Sequence, residues 1–234
     1  MPAIDFKGRY MFSVAGIPFG TMDIAFTQDA SQYNASSEIH TTGITRIFVQ
    51  HDSTTAASGK GKNFLYTDVH YESDYQTRKK KKYVKIIRAH GVISEEVILP
   101  PDNRAVRPAV ADALKNKSFD PLSYGLAIRS ELTRALADKR TEFTLNYYDG
   151  RRLTEGTFVI VGQKIIKMGD KKTSTIFVTA TRKTLAGFTQ NELDDIKPNE
   201  APLVMYFSDD DRHLPLRLEY PLIFGTASAT LMGQ

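Results

Sequence analysis

The 234-residue chain contains no cysteine and no tryptophan. Without a thiol it has no disulfide framework, zinc ribbon, iron–sulfur ligation, thioredoxin chemistry or cysteine nucleophile. Long apolar runs are missing too. The longest are Phe158-Val159-Ile160-Val161 and Leu203-Val204-Met205-Tyr206-Phe207, far short of the ~20 residues a helical membrane span needs. Charge of one sign is in small excess: 31 Lys plus Arg against 27 Asp plus Glu leave +4. A nucleic-acid binder concentrates more positive charge on one face, so nucleic acid is not an expected partner. The sequence has no Gly-x-Ser-x-Gly and no Ser-x-x-Lys. His40, His51, His70, His90 and His213 include no pair at i,i+2 or i,i+4. No catalytic residue, metal or cofactor is therefore nominated by motif.

What is present is the composition of a folded globular chain, 41% apolar and 25% charged, patterned at period two. From Phe6, the residues Gly8, Tyr10, Phe12 and Val14 alternate with Lys7, Arg9, Met11 and Ser13. A Gly16-Ile17-Pro18 turn leads to Met22, Ile24 and Phe26, so the two runs read as a hairpin. Further strands are expected at Tyr33–Ile39, within Phe64–Leu99 (broken near Ser73–Lys80 and at His90-Gly91), Thr141–Tyr148, Arg151–Val161, Thr173–Thr181, Leu203–Ser208, Pro215–Tyr220 and Ile223–Leu231. Asp149-Gly150 suits a type I′ turn. Roughly a dozen strands exceed what an open twisted sheet carries without curling.

One helix stands out, from Asp120 to about Ala137. Asp120 is a suitable N-cap, Pro121 occupies the first helical position, and Leu122, Leu126, Leu132 and Leu136 form an apolar stripe. Weaker helical patterns cover Ile44–Val49 and Pro108–Lys115. No βαβ rhythm appears. The expected fold is a mainly β single domain spanning 1–234: a curled antiparallel sheet or open β-barrel with one long packed α-helix inserted between two strand-rich halves.

Arg129 lies on the apolar stripe and needs a carboxylate or carbonyl cluster, because an unpaired buried charge is costly. Gly125, one turn earlier, would let the helix approach the sheet closely. Arg129, Gly125 and Asp120 are thus read as structural. The most conspicuous charge feature is Arg78-Lys79-Lys80-Lys81-Lys82, continued by Lys85 and Arg88. It is a candidate patch for a partner or an anion. Its plainer reading is a solvated loop and an edge strand whose lysines block edge-to-edge pairing. Ser208-Asp209-Asp210-Asp211-Arg212-His213 reads as a solvated turn, and Ala57-Ser58-Gly59-Lys60-Gly61-Lys62-Asn63, an imperfect phosphate loop, as a flexible loop.

Four stretches together resemble an uncharacterised bacterial family, the domain-of-unknown-function family numbered 3108. They are Tyr10-Met11-Phe12-Ser13-Val14-Ala15-Gly16-Ile17-Pro18-Phe19-Gly20; Asp120-Pro121-Leu122-Ser123 with Arg129; Tyr148-Asp149-Gly150-Arg151-Arg152; and Phe207-Ser208-Asp209-Asp210-Asp211-Arg212-His213-Leu214-Pro215-Leu216-Arg217-Leu218. The resemblance implies export to the periplasm of Gram-negative bacteria, with Met1 standing in place of a cleaved leader. It implies no active site, and a disulfide role for cysteines of relatives in the stretch matching Arg140–Ala180 does not transfer.

These readings converge on a non-enzymatic envelope protein binding an apolar ligand, lipid or lipoprotein in the curled sheet. Tyr10, Phe12, Ile24, Phe26, Leu122 and Leu126 are the candidate lining, the same residues being equally suited to an ordinary core. Periplasmic lipid carriers with a half-open barrel and helical lid are an analogy of fold alone. The alternative is a scaffold docking an envelope protein through the basic 78–88 segment. A hydrolase of envelope polymers, built around His213 and carboxylates in a cleft, is the third reading. Oligomeric state is left open.

Overall fold

A computed structural model describes residues 3–41, 51–196 and 200–233. The chain runs β1 (Ile4–Val14), β2 (Ile17–Gln28), β3 (Gln32–Thr41), β4 (His51–Lys62), β5 (Leu65–Thr77), β6 (Lys81–Ala89), β7 (Val92–Leu99), α1 (Asp112–Lys115), α2 (Pro121–Ala137), β8 (Glu142–Tyr148), β9 (Leu153–Met168), β10 (Lys171–Ala186), α3 (Gln190–Asp194), β11 (Leu203–Ser208), β12 (Pro215–Leu222) and β13 (Gly225–Leu231). The 13 strands of the described residues belong to one antiparallel sheet, in the order β7-β6-β5-β4-β3-β2-β1-β13-β12-β11-β10-β9-β8. The two ends of the chain meet in its middle, where Tyr10 pairs with Leu231 and Val14 with Ala227.

Among the described residues helical structure is divided among three segments, which corrects the expectation of one long packed helix; the pattern at Ile44–Val49 lies outside them. Four other expectations change. The first hairpin turns at Ala15-Gly16, not at Gly16-Ile17-Pro18. Both turn residues have positive φ, 49° and 82°, and Val14 pairs directly with Ile17, the two-residue turn whose twist matches the strands. The stretch expected to be a flexible loop is the end of β4: Gly59 lies under the Tyr33 ring, and Gly61 sits at a bulge against Leu65 and Tyr66, where a Cβ would collide. Small residues there mark close packing rather than looseness. β5 continues through Ser73 to Thr77, so the break falls at 78–80. Asp149-Gly150 opens a four-residue turn closed by Arg152, in which Asp149 Oδ1 accepts from the backbone of Arg151 and Arg152. Side-chain capping, not a type I′ geometry, decides that turn.

The sheet curls far enough for its two extremes to share a core. Tyr71 of β5 and Ile86 of β6 are buried in one cluster with Tyr148 of β8 and Leu153 of β9. Edges β7 and β8 are bridged by the connection between them. Asn116 Oδ1 accepts from Ile93 N of β7 (2.9 Å), while Phe119 exchanges backbone hydrogen bonds with Asn146 O and Tyr148 N of β8 (2.8 Å each). Buried Lys115 spans the same gap, 2.9 Å from Glu96 Oε2 and over the Tyr148 ring. Backbone groups that would otherwise template another strand are thereby partnered within the chain.

Candidate functional site

The concave side of the sheet holds α2. Asp120 caps it, accepting from Leu122 N (3.1 Å) and Ser123 N (2.9 Å), and Ser123 Oγ donates to its other oxygen. Asp120 is fully buried, and burial pushes its carboxyl up while the Ser123 hydrogen bonds and the field of Arg88 oppose that shift. From its middle outward the helix faces two apolar groups at once. Leu126 joins Tyr10, Phe26, Tyr33 and Ile86; Ile128, Leu132 and Ala135 join Phe143, Phe158, Val178 and Phe207. Between the two runs a polar seam. Arg129 Nη1 donates to Gln28 Oε1 (3.0 Å), Arg129 Nε to the Arg212 carbonyl (2.5 Å), and Gln28 Nε2 to Ser130 Oγ (3.2 Å). The guanidinium is thus seated on an amide and a carbonyl. Thr133 Oγ1 and His213 Nδ1, 2.8 Å apart, extend the seam. Burial first, and then Arg129, lower the basicity of His213.

Each candidate lining residue has a definite place. Tyr10, Phe26 and Leu126 are buried core side chains, with Ile24 and Leu122 packed on the same cluster. Tyr10 Oη donates to the Pro215 carbonyl at 2.5 Å. Phe12 departs from the set. It is half-buried, lies outside that cluster and stacks on Phe19, the extra residue of a bulge in β2, ring centres 5.8 Å apart. Gly125 is also corrected: a Cβ there would meet nothing within 4 Å, and the residue is exposed. It faces away from the sheet.

The basic segment is not one patch. Arg88 is buried, its Nη2 reaching the Lys115 carbonyl at 3.3 Å and its charge facing Asp120, with burial lowering its pKa. Lys81 pairs with Asp74 at 3.5 Å and Lys85 with Glu95 at 2.8 Å. Arg78, Lys79 and Lys80 form the exposed β5–β6 turn, and Lys82 lies over the Tyr75 ring. Strand pairing explains the dispersal, since successive residues of β6 point to opposite faces.

The carboxylates of the acidic turn that bond side chains do so within the turn and on the neighbouring strands. Asp210 accepts from Ser208 Oγ (2.7 Å) and Arg212, while Asp209 accepts from Gln163 and Ser174. No group of three metal-type ligands occurs among the described residues. Three surface hollows of about 340, 280 and 660 Å³ lie over β1–β6 and are bordered by outward side chains such as Lys7, Ser36, Ser58 and His70. Phe26 edges the first and Ile24 the third; Tyr10, Phe12, Leu122 and Leu126 border none of these three. Sequence reasoning missed Gln28, Lys115 and Thr133, whose partners lie about 80 or more residues away for Gln28 and Thr133. It also placed Ile223 and Phe224 in a strand, whereas they form the β12–β13 turn. The Leu222-Ile223-Phe224-Gly225 run disguised that turn, because turns usually carry Asn, Asp, Gly or Pro.

A curled antiparallel sheet around a helix places the chain among beta-barrel-like proteins. The crystal structure of a beta-barrel-like protein of domain of unknown function DUF1849 from Brucella abortus is similar over 98% of this chain and 96% of that one, with a TM-score of 0.56 and 11% identity. At that identity the likeness is one of fold. The model of the family described as protein of unknown function (DUF3108) matches residues 9–232, and the chain belongs to that family. No curated protein matches it.

Proposed function

We propose that the chain is a non-catalytic cell-envelope protein of the periplasm that holds an apolar ligand, a lipid or the acyl part of a lipoprotein, inside its curled sheet. The observation that carries this reading is the position of α2. It lies between two apolar clusters, and a polar seam of Gln28, Ser130 and Arg129 ties its middle to the sheet. Displacing such a helix opens apolar surface on both sides while its polar contacts pass to water at modest net cost. The ligand would then take the place of Leu126 on one side of the helix or Leu132 on the other.

The test uses the absence of native thiols. Gln28→Cys with Ser130→Cys, bridged by a short bis-alkylating reagent, fixes α2 to β2. Protein purified without detergent is expected to carry a bound mass in the lipid range by native mass spectrometry. A fluorescent fatty acid should enter the unbridged double variant and be excluded from the bridged one. Equal uptake with and without the bridge would sink the proposal, as would a clean ligand-free mass together with no uptake.

A second reading, an envelope scaffold, draws on the exposed Arg78–Lys80 turn. Its prediction is loss of partner capture on replacing Lys79 and Lys80 by Gln with thermal stability unchanged.

A further inference from the structure

Antiparallel order puts alternate turns at the same end of the sheet. The β1–β2, β5–β6, β8–β9 and β12–β13 turns therefore share one rim, and the β2–β3, β4–β5 and β6–β7 turns the other. At the first rim, two neighbouring turns form an apolar ledge. Ala15 N donates to Thr226 O at 2.9 Å, and a Cβ on Gly225 would lie 2.9 Å from that of Ala15. The paired tips thus pack side by side. They raise Ile17 (67% exposed), Ile223 (92%) and Phe224 (74%) into solvent. Two consecutive large apolar residues at the centre of a two-residue turn have no folding role to account for them, since they bury almost nothing within the chain.

Four strand spacings away, roughly 20 Å along the sheet, the same rim carries Lys79 and Lys80 on the β5–β6 turn. Lys82 follows them, its pKa lowered first by partial burial and then by the fields of Arg151 and Arg152. No ion pair among the described residues involves Lys79, Lys80 or Lys82. The triple-aspartate turn, by contrast, follows β11 at the opposite end.

We infer that this rim docks on an anionic phospholipid bilayer, Ile223, Phe224 and Ile17 entering the interface while Lys79, Lys80 and Lys82 meet the headgroups. Apolar insertion and basic attraction are each weak alone, and together they give reversible surface binding. A protein partner would be expected to present a matched apolar pocket, whereas a bilayer accepts three protruding side chains without one. Charge complementarity selects the anionic surface. The inference goes beyond the interior reading and stands whether or not a ligand is carried.

The test is flotation of the full chain with vesicles of phosphatidylglycerol and phosphatidylcholine, against vesicles of phosphatidylcholine alone. Wild type should float with the anionic vesicles, and less so as salt is raised. Ile223→Ser with Phe224→Ser should weaken partitioning at least about tenfold, the scale set by losing two buried apolar side chains. Lys79→Gln, Lys80→Gln and Lys82→Gln should cost about fivefold each at low salt. Leu65→Ser, 67% exposed at the other rim, should change nothing. The inference is overturned if wild type stays unbound at every lipid concentration, if the tip variants bind as wild type, or if Leu65→Ser loses as much. It is also overturned if light scattering finds a dimer that Ile223→Ser with Phe224→Ser abolishes, which would assign the ledge to a second copy. Equal melting temperatures for all variants separate these outcomes from misfolding.

Discussion

Leu132 and Ile223 are both aliphatic, and Arg129 and Lys80 both cationic, yet the interior and the rim use them in opposite ways. Leu132 is sealed between the helix and strands β8 to β11, and Arg129 is seated on Gln28 and the Arg212 carbonyl. Ile223 and Lys80 stand in water. Inside, residue type follows the demands of packing and hydrogen bonding. On the rim those demands are absent, so residue type there reports on what lies outside the chain. The comparison separates side chains kept for stability from side chains kept for contact.

The sharpest way to break that comparison is Leu132→Ala. It removes a wholly buried side chain from a cluster of large neighbours and should cost about 2–5 kcal/mol, read as a lowered denaturation midpoint at unchanged m-value. A cost below about 1 kcal/mol would mean that α2 is not held by the sheet. The His213→Asn variant tests the seam with a smaller effect. His213 has φ of 45°, which Asn tolerates, and burial followed by Arg129 keeps its pKa below the ordinary 6.5. A histidine with a depressed folded pKa binds its proton more readily when unfolded. Its contribution is therefore complete above about pH 6.5 and lost as the pH falls from there to the folded value. Urea titrations at pH 7.5 and 5.5 should show a pH-dependent loss in wild type that is smaller in the variant; identical losses would place His213 outside the seam. Ile223→Ser is expected to leave stability within about 0.5 kcal/mol of wild type. A larger loss would move the rim into the class of the interior and remove the reason for regarding it as a contact surface.

Legibility followed the range of the interactions. Asp120 and Pro121 announce the start of α2 because a cap acts on backbone two and three residues away. The strands of the two long hairpin series show in period-two runs for the same reason. β4 did not, since Ala56-Ala57-Ser58-Gly59 is too small and polar to alternate visibly, and its glycine is explained by Tyr33 on another strand. Gly125 was misplaced because a helix's rotation is settled by neighbours that lie elsewhere in the sequence. The basic run looked like a patch because sequence adjacency does not distinguish the two faces of β6.

By itself the amino-acid sequence determined the all-antiparallel β character, the capped helix at 120–137, the lack of thiol chemistry and the lack of an apolar segment long enough for a helical span. Local periodicity, capping and composition suffice for those. Tertiary structure alone decided that β1 pairs with β13, that Asn116 and Phe119 bridge the sheet's two edges, and that Arg88 turns inward while Lys80 turns out. It also brought Ala15 beside Gly225 to raise one apolar ledge from two distant turns. Each of these depends on residues tens to hundreds of positions apart, whose meeting is set by the curl of the whole sheet.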